Sequence, residues 1–154
     1  MSVISLLSVE EIIEKLNSLN KNDTPRWGKM NSSQMLKHCS KFIDLYLGEI
    51  KVPSWYKYFG LTIGKLFLRY ISKKSPSETP RNIRTDKSIK ITDENLDFDD
   101  ERKRLIKKLN KLHKIKGQIN HPIYGNMKSE KILFLIKHHT IHHLNQFNLI
   151  KNHQ

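Results

Sequence analysis

The chain holds a single cysteine, Cys39, in 154 residues, so internal disulfides are excluded and a reducing, cytoplasmic setting is expected. It also lacks an apolar run long enough to span a bilayer. The most hydrophobic stretch, Trp55 to Ile71, is interrupted by Lys57, Lys65 and Arg69. The opening residues, MSVISLLSVEE, carry no basic segment before their short apolar run, and no secretory signal is expected from them. Acidic residues are scarce beside basic ones, 15 against 28, for a formal net charge of +13. Only six of the 28 are arginine, the residue suited to bidentate phosphate and base contacts, and the charge is spread along the chain. Specific nucleic-acid recognition is therefore not expected. General enrichment in Lys, Asn and Ile accounts for the basicity and leaves room only for weak, salt-sensitive association.

Strand signals are missing too. No segment shows clear alternation of apolar and polar residues, so the expected fold class is all-α, most simply a helical bundle. The length suits one domain, residues 1–154, with a core of its own. A first helix is predicted from Ser8 to about Leu19, where Ser8 and Glu11 have capping-box spacing and Ile12, Ile13, Leu16 and Leu19 form one face. A second starts near Asn31, with Gln34 at the matching spacing and a stripe of Met35, His38, Phe42 and Leu45. Beyond Pro53, with Ser54 as its cap, a third run carries Trp55, Tyr58, Phe59, Ile63, Leu66, Phe67 and Tyr70. Its lysines and arginine permit an interfacial membrane reading, but packing on the bundle or on a partner subunit, and hence a homodimer, is the stronger use of so much aromatic surface. Residues 72–95 read as a long loop with a short extended piece at Ile89-Lys90-Ile91. Further helices are predicted from Asp97 to Lys114 and from Lys128 to Phe147.

What is abundant is histidine in one place. His138, His139, His142 and His143 crowd six residues of the last predicted helix, half of the chain's eight. Imidazoles four residues apart share a helical face, and the stripe Ile132, Leu135, Ile136 continues onto His139 and His143. The other pair is rotated by roughly 100°, which places His142 at the margin and His138 in solvent. Buried imidazoles need partners. His38 is the one other histidine on a predicted inward face, so three neutral imidazoles from two helices could share one metal ion and leave positions open for water or substrate. Cys39 points away from His38 and reads as core filler, and Asp44 falls on the opposite face. The zinc-protease pattern is absent, because no Glu follows the first histidine of either pair.

Two segments carry a resemblance. Trp27-Gly28-Lys29-Met30 with Gln34-Met35-Leu36 and His38, and then His121-Pro122, Tyr124-Gly125, His139, His142-His143 and Gln146-Phe147, resemble the domain-of-unknown-function 1569 branch of the DinB/YfiT-like superfamily over essentially the whole chain. The resemblance implies an up-down-down-up four-helix bundle with an additional short helix and a long loop. It also implies a three-histidine metal site at His38, His139 and His143. Relatives in the wider superfamily include transferases and isomerases that use low-molecular-weight thiols, and metal-dependent hydrolases. A divalent ion (Zn, Ni, Fe or Mn) and a small-molecule substrate follow as expectations. Lys128 departs from the Ser or Thr cap of the family pattern, with Ser129 as its expected replacement, and His121 is expected to anchor a loop.

The leading expectation is thus a divalent-metal enzyme that activates water or a thiol, of hydrolase or thiol-transferase type, with no general base assigned. The competing one is a non-catalytic helical binding module. Its histidines would be core residues and its partner surface the aromatic third helix.

Overall fold

The computed structural model describes residues 6–83 and 86–150. The helices are α1 (Val9–Ser18), α2 (Ser32–Tyr46), α3 (Trp55–Phe59), α4 (Lys65–Ile71), α5 (Phe98–Lys111) and α6 (Ser129–Gln146). A π-helical segment, Gly60–Gly64, fuses α3 and α4 into one continuous run. Both predicted capping boxes form: Ser8 with Glu11 opens α1, and Asn31 with Gln34 opens α2. Asp97 caps α5 through the amide of Asp100, and Asp99, Asp100 and Glu101 complement the helix dipole in its first turn. Ser54 makes no such bond at the start of α3.

α1 and α2 both pack against α5 and α6. The core between them is built from Ile12, Leu16, Leu36, Ile43, Leu105, Leu109, Ile132, Ile136 and Leu144, all essentially inaccessible to solvent. Each such aliphatic side chain contributes on the order of 1.5–3 kcal/mol by leaving water.

The all-α, four-helix-bundle expectation does not hold. Gln118–His121 (β1) and Gly125–Lys128 (β2) form a two-stranded antiparallel sheet in the register Gln118 with Lys128, Ile119 with Met127, Asn120 with Asn126 and His121 with Gly125. The chain is therefore mixed, with a hairpin inserted between α5 and α6. Four-residue strands are too short to show a period of two, and polar side chains fill most positions of this ladder. The hairpin also replaces the expected helix cap. Ser129 is the first residue of α6 rather than its cap, and its amide donates to the Gly117 carbonyl at 2.8 Å.

Two other expectations change. Ile89-Lys90-Ile91 forms no strand; Ile89 is buried at the end of a turn inside the long connection, which also contains a 3-10 turn at Pro76–Glu78. The α3–α4 run does not bury its aromatic side. It is seated through its glycines, because a Cβ on Gly60 would lie 2.2 Å from the Ile123 carbonyl oxygen and one on Gly64 would lie 2.8 Å from the Tyr124 ring. Leu68 and Ile71 are buried beyond them. Among the described residues, no helix is long and apolar enough to cross a membrane.

Candidate metal centre

His38 comes from the middle of α2, and His139 and His143 from successive turns of α6. One nitrogen from each of the three lies within 4.8 Å of the others, an arrangement that could hold a metal ion. The Nε2 atoms of His38 and His139 are 3.1 Å apart. Two nitrogens bound to one ion at about 2.0–2.1 Å would be separated by roughly 2.8–3.4 Å for bond angles between octahedral and tetrahedral. The observed spacing suits that geometry as well as it suits a hydrogen bond.

Partners behind the rings set their orientation. His38 donates from Nδ1 to the Ile89 carbonyl at 3.0 Å, and His143 donates from Nδ1 to Oε1 of Gln146 at 2.7 Å. With both protons held on Nδ1, the two Nε2 lone pairs are free to face inward. Gln146 is itself fixed, since its side-chain amide donates to the Trp27 carbonyl at 2.6 Å while its backbone carbonyl accepts from the Arg26 backbone amide at 2.7 Å. Gly28 permits this clamp. Its φ is +81°, and a Cβ there would lie 2.7 Å from the Gln146 nitrogen. The Trp27-Gly28 motif thus holds the glutamine that orients His143. His139 has a different support, with Phe42 stacked flat on it at a ring separation of 3.7 Å and Tyr46 stacked on Phe42 at 4.2 Å.

His38 and His143 are buried, and His139 is the least buried of the three as a residue. Desolvation pushes the basicity of His38 below the ordinary histidine value. It pushes His139 and His143 further down, helped by repulsion among the rings themselves. All three are consequently neutral near pH 7 and need shed no proton to bind a cation. Cys39 is buried beside Met35, and desolvation raises its thiol far above the range in which a thiolate forms. Asp44 is paired with Lys108 and takes no part in the cluster.

Of the two outer histidines, His142 lies at the margin as expected and His138 does not face solvent. His138 is buried, not solvated, and donates from Nε2 to the Lys74 carbonyl at 2.9 Å. His142 donates from Nδ1 to the Pro76 carbonyl at 3.1 Å and lies against Trp27, with ring centroids 5.7 Å apart. The connection after α4 therefore lies across α6 and supplies three carbonyls, of Lys74, Pro76 and Ile89, to three different histidines. Sequence reasoning missed this because the partners are backbone atoms of a segment without periodicity. His121 is fully buried, and its Nδ1 accepts from the amides of Ile123 and Tyr124 at 3.1 and 3.3 Å, which tightens the hairpin turn as an anchor should. Burial lowers it to about 4.

Comparison with known proteins gives one match: a family described as "Protein of unknown function (DUF1569)" covers residues 3–149. No curated protein and no solved structure matches the chain.

Proposed function

We propose that this chain, which belongs to the DUF1569 family, holds one divalent metal ion on His38, His139 and His143 and uses it in a reaction on a small molecule. The observation that carries the reading is the convergence of three neutral imidazole nitrogens within 4.8 Å of one another. An ordinary histidine core would satisfy each ring separately. Here the inner nitrogens face one another, and the outer nitrogens of His38 and His143 are held by Ile89 and Gln146. Histidine ligands are typically braced in that way.

Three protein ligands with open positions are the arrangement of catalytic rather than structural sites. A divalent ion there would lower the pKa of a bound water or thiol and so supply a nucleophile near neutral pH. The chain's own residues then have defined tasks. Ile89 and Gln146 fix the rings, and Phe42 holds His139 in place. No carboxylate belongs to the cluster, so proton transfer falls to solvent or to the substrate. We read the family as a branch of the DinB/YfiT-like superfamily on the motif histidines and the Trp27-Gly28 and Tyr124-Gly125 turns. On that reading a low-molecular-weight thiol is a candidate substrate, and a hydrolase or thiol transferase the reaction type. Zn, Ni, Fe and Mn all accept imidazole ligands.

Elemental analysis of protein purified without an affinity tag tests the first step. About one metal ion per chain is expected for the wild type, with loss of that ion in His139→Ala. Absence of stoichiometric metal from wild-type protein that has met each candidate ion would overturn the reading.

A further inference from the structure

The outward face of the α3–α4 run has no use in the metal-site reading, and its composition is unusual. Trp55 is 62% exposed, Tyr58 79%, Phe59 54%, Ile63 59%, Leu66 65% and Tyr70 48%. The opposite side is fastened to the hairpin turn by Gly60 and Gly64, so the run cannot roll over to bury these side chains. Its π segment is locally satisfied as well. The Thr62 hydroxyl donates to the carbonyls of Tyr58 and Phe59, at 3.0 and 3.1 Å, where the helical ladder is disturbed. A soluble monomer rarely leaves so large a contiguous apolar area in water.

The charges that this segment itself carries are of one sign. From residue 50 to residue 77 the chain contains Lys51, Lys57, Lys65, Arg69, Lys73 and Lys74 and no Asp or Glu. Lys57, Lys65 and Arg69 are exposed on the run itself. We propose that this face docks on an anionic lipid surface and lies in the interface plane without spanning it. Aromatic and aliphatic side chains would enter the headgroup boundary while the cations meet lipid phosphates and carboxylates. Tyr and Trp suit that boundary because each joins an apolar ring to a polar group.

Charge separates this occupant from the others. A second copy meeting the face about a two-fold axis would set the segment's cations against the same cations of its partner. A nucleic acid would satisfy the lysines but leave Phe59, Ile63 and Leu66 against phosphate.

Co-sedimentation tests the proposal, using full-length protein with vesicles of phosphatidylcholine alone and with vesicles of equal parts phosphatidylcholine and phosphatidylserine. Binding to the anionic vesicles is expected, with a blue shift in tryptophan emission that Trp55→Ser removes and a loss of binding as salt rises. Each cation near an anionic surface contributes about a fivefold factor, so the triple variant Lys57→Glu, Lys65→Glu, Arg69→Glu should bind at least about a hundredfold more weakly. Leu66→Ser should weaken binding while leaving metal content and the circular dichroism spectrum unchanged, which separates this proposal from the metal-site reading. Three results would overturn it: no binding to anionic vesicles, equal binding to neutral ones, or a micromolar homodimer in sedimentation velocity that Leu66→Ser dissociates.

Discussion

Mild acid should destabilise the metal-free protein, and the structure sets the scale of the effect. Six histidines, His38, His121, His138, His139, His142 and His143, are held below the ordinary value chiefly by desolvation. His121 offers the clearest magnitude, because it is fully buried and lowered from 6.5 to about 4. A depressed histidine leaves the unfolded chain with more bound protons than the native one. Its contribution to stability is therefore intact above the unfolded value and is lost as pH falls below it, until the folded value is reached. Going from about pH 7.5 to about pH 5.5 costs about 1.3 kcal/mol at His121 alone. His139 and His143 lie well below the ordinary value for the same reason and add to the loss. The His121 loss alone is a noticeable fraction of a typical stability of about 5–15 kcal/mol.

Urea titrations of chelator-treated protein at the two pH values, followed by circular dichroism, measure it. With a slope of about 2 kcal/mol per molar, His121 alone lowers the midpoint by about 0.7 M, and the whole protein should lose well over 1 M. His121→Asn keeps a side-chain acceptor for the Ile123 and Tyr124 amides but cannot titrate. Whatever its effect at either pH, the difference between the two should shrink by about 1.3 kcal/mol. A midpoint that does not move with pH, or a variant whose pH difference equals that of the wild type, would refute the reasoning.

Two further substitutions probe the supports of the site and of the docking face. Gln146→Leu removes the acceptor behind His143 and the donor to Trp27, so metal affinity should fall about 10–100-fold, read by competition with a chromogenic chelator. Unchanged affinity would mean that Gln146 does not orient the ligand. Gly60→Ala forces a Cβ to within 2.2 Å of the Ile123 carbonyl oxygen, so the α3–α4 run must shift. The expected loss is about 1–3 kcal/mol in thermal or urea unfolding, with faster proteolysis between Pro53 and Ser75; an unaltered melt would show that the run is not seated as described.

What could be read from the residue string follows a physical division. The capping boxes and the stripe that carries Met35, His38 and Phe42 are local or periodic side-chain patterns, and they reappear in α1 and α2. His38, His139 and His143 come together because each sits where a helical stripe turns inward, which spacing alone expresses. The hairpin was not legible, since its four-residue strands owe their pairing to backbone hydrogen bonds and to the turn around His121 rather than to an apolar period.

His138 shows where the limit lies. Its position in the helical stripe correctly separates it from His139 and His143, yet the inference that it faces solvent fails. Periodicity tells which way a side chain leaves its helix; burial depends on what lies over that side. Here the covering is the connection after α4, whose Lys74 and Pro76 carbonyls meet His138 and His142 while Ile89 meets His38. Backbone carbonyls belong to every residue type, so no sequence pattern announces them. The same reasoning runs in reverse for the third helix. Its aromatic stripe announces a buried face, and nothing among the described residues covers it. On the docking proposal, the apolar face that the described fold leaves open finds its cover in a separate surface, and the flanking cations favour a negatively charged one.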